Sequence, residues 1–219
     1  MSLPSLKSSW SHDKRREIQE IIPGLLLGSV YSATNVDYLK AAGVTNLVRI
    51  FDSREAQAMN NFVAHRKKSP AAGLEDFKQD FVEVNVKKAK GFMRVFSSFE
   101  SVLPSADACN SGTKKTLVYC TTGMAVSPPF VVMLLVKRLA WDPVYAMEYV
   151  CDRRACVYFT GPAQKAIMKF ATCLKFQAEL KANEKASSSG LLDGSKKRKR
   201  EDSDDGGNEQ AMDTEESES

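Results

Sequence analysis

A short apolar run, Leu117-Val118-Tyr119, stops at Cys120. A seven-residue stretch containing Gly123 then leads to Pro128 and Pro129 at the head of an apolar segment, Phe130 to Val136. Thr116 to Tyr119 reads as a strand, and Ser127 as a residue able to cap the helix that the two prolines open. A strand, a tight glycine-containing loop and a helix define a βα unit, which implies a parallel sheet. A cysteine at the strand's end beside a helix N-terminus also makes an anion cradle, from inward backbone N–H groups and the helix dipole. The same surroundings would favour the thiolate of Cys120. Taken alone, such a cysteine is as well explained as a small core residue.

The flanking sequence repeats the alternation. Glu17 to Ile22 and Leu25 to Leu27 read as strands joined at Pro23-Gly24. Thr34 to Ala42 reads as a helix closed by Gly43. Thr45 to Phe51 is β-branched and apolar, hence a buried strand; Arg54 to Lys67 reads as a helix, and Ser69 to Asp80 as a loop. Phe81 to Val86 alternates as a strand. Gly91 to Leu103 places Phe92, Val95, Phe96, Phe99 and Leu103 at helical spacing. Asp142 and Pro143 supply an N-cap and first-turn pair, and a last helix is expected from Pro162 to Lys181. The expected fold is α/β, with a central, mostly parallel sheet flanked by helices. Trp141 is expected to pack between two helices.

Composition limits the function classes. The chain has 219 residues, 43% of them hydrophobic, which suits one domain and a tail. The boundaries expected are a flexible start over 1–13, a folded domain over 14–182 and a charged, disordered tail over 183–219. No apolar run approaches a membrane span, and no secretory signal is expected. The five cysteines (Cys109, Cys120, Cys151, Cys156 and Cys173) show no metal-ligand spacing, and the two histidines, His12 and His65, are read as surface residues. No metal, no cofactor and no disulfide framework are therefore expected, and Cys151, Cys156 and Cys173 are read as buried or half-buried thiols.

The net charge of +4 conceals a division. From Ser187 onward there are five basic and ten acidic residues, so the rest of the chain is strongly basic. Lys196-Lys197-Arg198-Lys199-Arg200 reads as a nuclear localisation signal, with a solvated charge block as the alternative. Lys87, Lys88, Lys90 and Arg94 form a second basic cluster, suited to an acidic or phosphorylated segment or simply to solvent. Nucleic-acid binding is not favoured, because no aromatic residues interleave with the cations.

Four segments together carry a resemblance: Ile22-Pro23-Gly24-Leu25-Leu26-Leu27-Gly28, Arg15-Arg16-Glu17 with Gln19-Glu20-Ile21, the Cys120 loop, and Glu148-Tyr149-Val150-Cys151-Asp152-Arg153-Arg154. In order and spacing they resemble the dual-specificity protein tyrosine phosphatases, and among them the serine/threonine/tyrosine-interacting pseudophosphatases, over roughly Lys14 to Leu180. The resemblance implies the cysteine-phosphatase fold. It places Tyr119 at the histidine position, Cys120 at the nucleophile, Thr121, Thr122, Gly123, Met124 and Ala125 in the phosphate loop, Val126 at the arginine and Ser127 at the hydroxyl. It places Lys88 at the general acid and gives Arg153 and Arg154 a structural role.

The departures have physical consequences. The arginine grips phosphate with a planar fork, and valine has no donor. Losing two charge-assisted hydrogen bonds costs about 10²–10⁴ in binding or rate. A lysine at its usual pKa of about 10.4 is a poor acid at neutral pH. The expectation is a catalytically inactive, monomeric binding protein of nucleus and cytoplasm that holds phosphorylated signalling proteins. The partner classes the resemblance implies are MAP kinases and F-box ubiquitin-ligase components. The alternative is a residually active cysteine-dependent phosphatase.

Overall fold

A computed structural model describes residues 11–52, 73–104 and 114–189. Five strands form one sheet: β1 Gln19–Ile22, β2 Leu25–Ser29, β3 Val44–Asp52, β4 Lys78–Val84 and β5 Lys115–Cys120. Their spatial order is β1-β2-β5-β3-β4. Only β1 runs antiparallel to its neighbour, as a hairpin through Pro23-Gly24; every other pairing is parallel. The helices are α1 Val30–Ala33, α2 Val36–Ala41, α3 Ala89–Ser101, α4 Pro128–Leu139, α5 Pro143–Arg153 and α6 Gly161–Ser189, and a 3-10 turn covers His12–Arg16. The expected α/β architecture is present.

The sheet separates two apolar clusters. Side chains alternate along a strand, so Val118 enters the larger cluster while Leu117 and Tyr119 enter the smaller. The larger cluster is built on α4, whose residues from Pro128 to Val136 are all buried. Phe92, Phe96 and Phe99 of α3 pack onto it, with Phe99 edge-on to Phe130 at 5.4 Å between ring centroids. A fully buried aromatic of this kind contributes about 3–5 kcal/mol relative to alanine.

Several boundaries differ from the sequence reading. The helix expected from Thr34 to Ala42 is α2, Val36–Ala41, which Asn35 caps by accepting from the Tyr38 N–H at 3.1 Å; the short α1 before it was not expected. The strand expected from Glu17 begins at Gln19, since residues before it form the 3-10 turn. The strand expected over Phe81 to Val86 is Lys78–Val84, with pairing to β3 starting at Lys78 opposite Asn46. α3 starts at Ala89 rather than Gly91. The last helix continues to Ser189, into residues assigned to the tail, where alanine, lysine and glutamate favour helix. The helix read over Arg54 to Lys67 lies outside the described residues, as do Cys109, His65 and the 196–200 basic cluster. By compactness the chain divides into Met1–Ala178 and Glu179–Ser219; within the second unit the described residues are the helical ones up to Ser189.

Asp142 caps α5 as expected, accepting from the N–H groups of Val144 at 2.8 Å and Tyr145 at 3.2 Å. Trp141 packs edge-on against Tyr145 and Tyr149 of α5 and also against the larger core cluster, to which α4 contributes. Cys151 and Cys156 are half-buried, but Cys173 is exposed, a correction that follows from its place on an outer face of α6.

Candidate binding site at the Cys120 loop

β5 is the middle strand, and its last residue is Cys120. Parallel pairing sets Cys120 opposite Ser29, and Tyr119 opposite Gly28 on one side and Arg49 on the other. The thiol is buried, and its sulfur accepts the Gly123 N–H at 3.1 Å. The loop's carbonyls are fastened outward. Thr121 O accepts from the Val30 N–H at 3.4 Å, and Met124 O from the Tyr158 N–H at 3.1 Å. Gly123 has φ of +68°, and a Cβ there would meet the Gly28 carbonyl oxygen at 2.3 Å. Only glycine fits both the left-handed backbone and that close approach.

Beneath the loop lies Arg154, with 0% of its surface exposed. Its Nε–H donates to Gly123 O at 2.9 Å. Nη1 donates to Glu17 O at 3.0 Å and to the Gln19 side-chain oxygen, and Nη2 donates to Arg15 O at 2.7 Å. Burial draws its pKa below the ordinary arginine value, against the attraction of the nearby Cys156 and Cys120 thiols. A planar fork with every arm on an oxygen is how such a buried cation is tolerated. Burial also pushes the Cys156 thiol up, outweighing the neighbouring Arg154 charge.

The residues at the family's site positions are not all brought together. Val126 is half-buried against the larger core cluster. Tyr119 is buried in the smaller cluster, with the Arg49 guanidinium 5.9 Å from its ring centroid. Thr121 and Thr122 are exposed, while Met124 and Ala125 are half-buried. Ser127 makes no side-chain cap; its backbone is already helical, and its buried Oγ finds no hydrogen-bond partner among the described residues. Lys88 precedes α3 and lines a cleft of about 440 Å³ with Lys90, Arg94 and Glu83. No residue of the Cys120 loop lines that cleft.

A separate cleft, of about 300 Å³, opens at the loop itself. Thr121, Thr122 and Met124 form one wall; Ser29 and Tyr31 form another, and Arg15 and Arg16 complete it. Arg16 lies over the Tyr31 ring, 5.0 Å from its centroid. Sequence reasoning used Arg15 and Arg16 only as part of the family's opening. Their place at the cleft depends on how the 3-10 turn folds back, which no local signal reveals. Among the described residues no group of three or more His, Cys, Asp or Glu side chains converges on a metal-sized site.

The sheet, the cysteine at the end of its middle strand and the loop beneath α4 together define the dual-specificity phosphatase fold. The chain is similar to the serine/threonine/tyrosine-interacting proteins: that of Mus musculus is 26% identical over 224 residues, covering 95% of this chain and 93% of its own, and its Homo sapiens counterpart is 27% identical over 66% of its own length. Dual specificity protein phosphatase 1B of Arabidopsis thaliana is 29% identical over 143 residues, 65% of this chain and 75% of that one. The crystal structure of the human tyrosine phosphatase-like serine/threonine/tyrosine-interacting protein superposes with a TM-score of 0.59 at 23% identity, covering 73% of this chain and 98% of the other. No family model matches the chain.

Proposed function

We propose that this phosphatase-fold protein is catalytically inactive and holds phosphorylated signalling proteins. The observation that carries this reading is at position 126, where valine packs against the core instead of presenting a guanidinium to the loop. Arg154, the buried cation under the loop, is committed to main-chain and amide oxygens. Phosphoryl transfer draws most of its acceleration from positioned charge. A loop without its own cation retains a cysteine but not the means to stabilise the transferring group. The acid is missing too, since Lys88 lines another cleft.

MAP kinases and F-box ubiquitin-ligase components are the partner classes proposed, and nucleus and cytoplasm the compartments, the nuclear share resting on Lys196 to Arg200. The test uses purified MAP kinase and F-box protein, each phosphorylated and dephosphorylated, presented to the full chain. Retention of the phosphorylated form with its phosphate intact by mass spectrometry is expected. Equal retention of both forms, or release of phosphate, contradicts the reading.

A second reading, a residual cysteine-dependent phosphatase, is favoured by one contact. The Gly123 N–H donates to the Cys120 sulfur, so the nucleophile position keeps a sulfur held by the loop backbone.

A further inference from the structure

We propose that Arg15 and Arg16 take over the anion recognition that position 126 has lost, so that the loop cleft holds a phosphorylated side chain of a protein segment. This rests on the binding reading above and identifies the residues that perform it.

Charge is the first ground. Among the described residues, the cleft is lined by two guanidinium side chains and by no carboxylate. Guanidinium forks match phosphate oxygens in pairs, which makes arginine the suited residue for a dianionic monoester. A buried hydroxyl is the second. Ser29 is 5% exposed and lines the cleft; its Oγ sits in a capping box with the first turn of α1 but makes no full hydrogen bond among the described residues. A buried polar atom so weakly partnered gains from a ligand oxygen in the cleft. Thr121 and Thr122 add exposed hydroxyls on the opposite wall.

Preorganisation is the third. Arg154 binds Arg15 O and Gly123 O with the same guanidinium, so the segment carrying the two cations and the loop are fixed to one another. Arg16 is further oriented by the Tyr31 ring. A site whose donors are already placed loses less entropy on binding. Tyr31 and Met124 supply apolar surface for the carbon skeleton beyond the phosphate, which favours an aryl phosphate on a peptide over a free ion.

This arrangement binds without turning over. Cations on a side wall attract the ground-state monoester and the transition state alike, and uniform binding does not accelerate chemistry.

The test measures fluorescence anisotropy of a phosphotyrosine peptide with the full chain, beside the unphosphorylated peptide, inorganic phosphate as competitor, and phosphatidylcholine vesicles carrying a phosphoinositide. The variants are Arg15→Gln/Arg16→Gln, Arg15→Lys/Arg16→Lys and, as a control in the other cleft, Lys90→Gln/Arg94→Gln. The Arg15 contact to Arg154 is through its carbonyl, so the glutamine variant keeps it, and an unchanged melting temperature verifies the fold. The prediction is at least about tenfold weaker peptide binding for the glutamine pair, an intermediate loss for the lysine pair, and a change under about twofold for the control. Binding that is unaffected by the glutamine pair, equal for the unphosphorylated peptide, limited to free phosphate, or confined to the vesicles overturns the assignment. Turnover of the peptide with an affinity still dependent on Arg15 and Arg16 sinks the inactive reading and leaves the assignment standing.

Discussion

Arg154 and Gly123, separated by 31 positions in the chain, are joined by a 2.9 Å hydrogen bond from the guanidinium Nε–H to the glycine carbonyl. The remaining nitrogens of that guanidinium hold Arg15, Glu17 and Gln19. One buried side chain therefore ties the loop after β5 to the segment before β1. Arg154→Met removes all of these bonds and leaves buried carbonyls without donors. It is expected to lower stability by roughly 3–5 kcal/mol in urea denaturation. Arg153→Met, whose guanidinium covers the Tyr149 ring, is expected to cost less than about 1 kcal/mol. Equal effects of the two would contradict the role given to Arg154.

Two glycines predict opposite outcomes. Gly123→Ala places a methyl 2.3 Å from Gly28 O and 2.8 Å from an Arg154 nitrogen at a positive φ, whereas Gly161, at the start of α6, has nothing within 4 Å of its virtual Cβ. The first substitution should destabilise by more than about 2 kcal/mol, from the left-handed backbone and the clash together. Gly161→Ala should be neutral or stabilise by up to about 1 kcal/mol, through reduced unfolded-state freedom. Thermal melts of the two variants measure the contrast.

The Cys156 thiol predicts an alkaline effect. Its folded pKa is raised by burial, so above the unfolded thiol value of about 8.5 the unfolded chain releases its proton first. That contribution is fully present below about pH 8.5, and stability is lost as pH rises through the folded value. Cys156→Ala should therefore lose less stability between pH 8 and pH 10 than the parent in chemical denaturation. A parallel pH dependence in both proteins would show that the thiol does not titrate in this way.

Much of this was legible in the sequence because the relevant signals are local. The β-branched run in β3, the phenylalanine spacing of α3, the Pro128-Pro129 start of α4 and the Asp142 cap each follow from a few adjacent residues, and the structure places them as read. The helix expected from Thr34 starts only at Val36 because the Asn35 side chain takes the Tyr38 N–H and caps it there. The site was half legible. Cys120 and the loop are contiguous, and their order shows in the chain. Arg15, Arg16 and Ser29 reach the cleft through a 3-10 turn and the β2–β5 pairing. Such long-range juxtaposition leaves no periodic mark. Lys88 shows the converse: proximity in alignment to an acid position did not bring it to the loop cleft.

Placing an arginine at position 126 tests whether one residue accounts for the proposed inactivity. Val126→Arg forces a long cation into a half-buried position against the core and should cost about 1–3 kcal/mol. Combined with Lys88→Asp, it is expected to leave aryl phosphate hydrolysis far below the level of a complete site. The new carboxylate lies in the other cleft, and Tyr119 remains in the smaller core cluster. Robust turnover by the double variant would show that Lys88 reaches the loop after all.

The proposed inactivity requires that the Cys120 loop keep its nucleophile position while lacking the charge needed to use it. Steady-state hydrolysis of a small aryl phosphate by the full chain, beside its Cys120→Ser variant, measures this most directly. Indistinguishable, background rates are expected for the two proteins. Turnover well above background that disappears with the Cys120 sulfur would contradict the proposed inactivity.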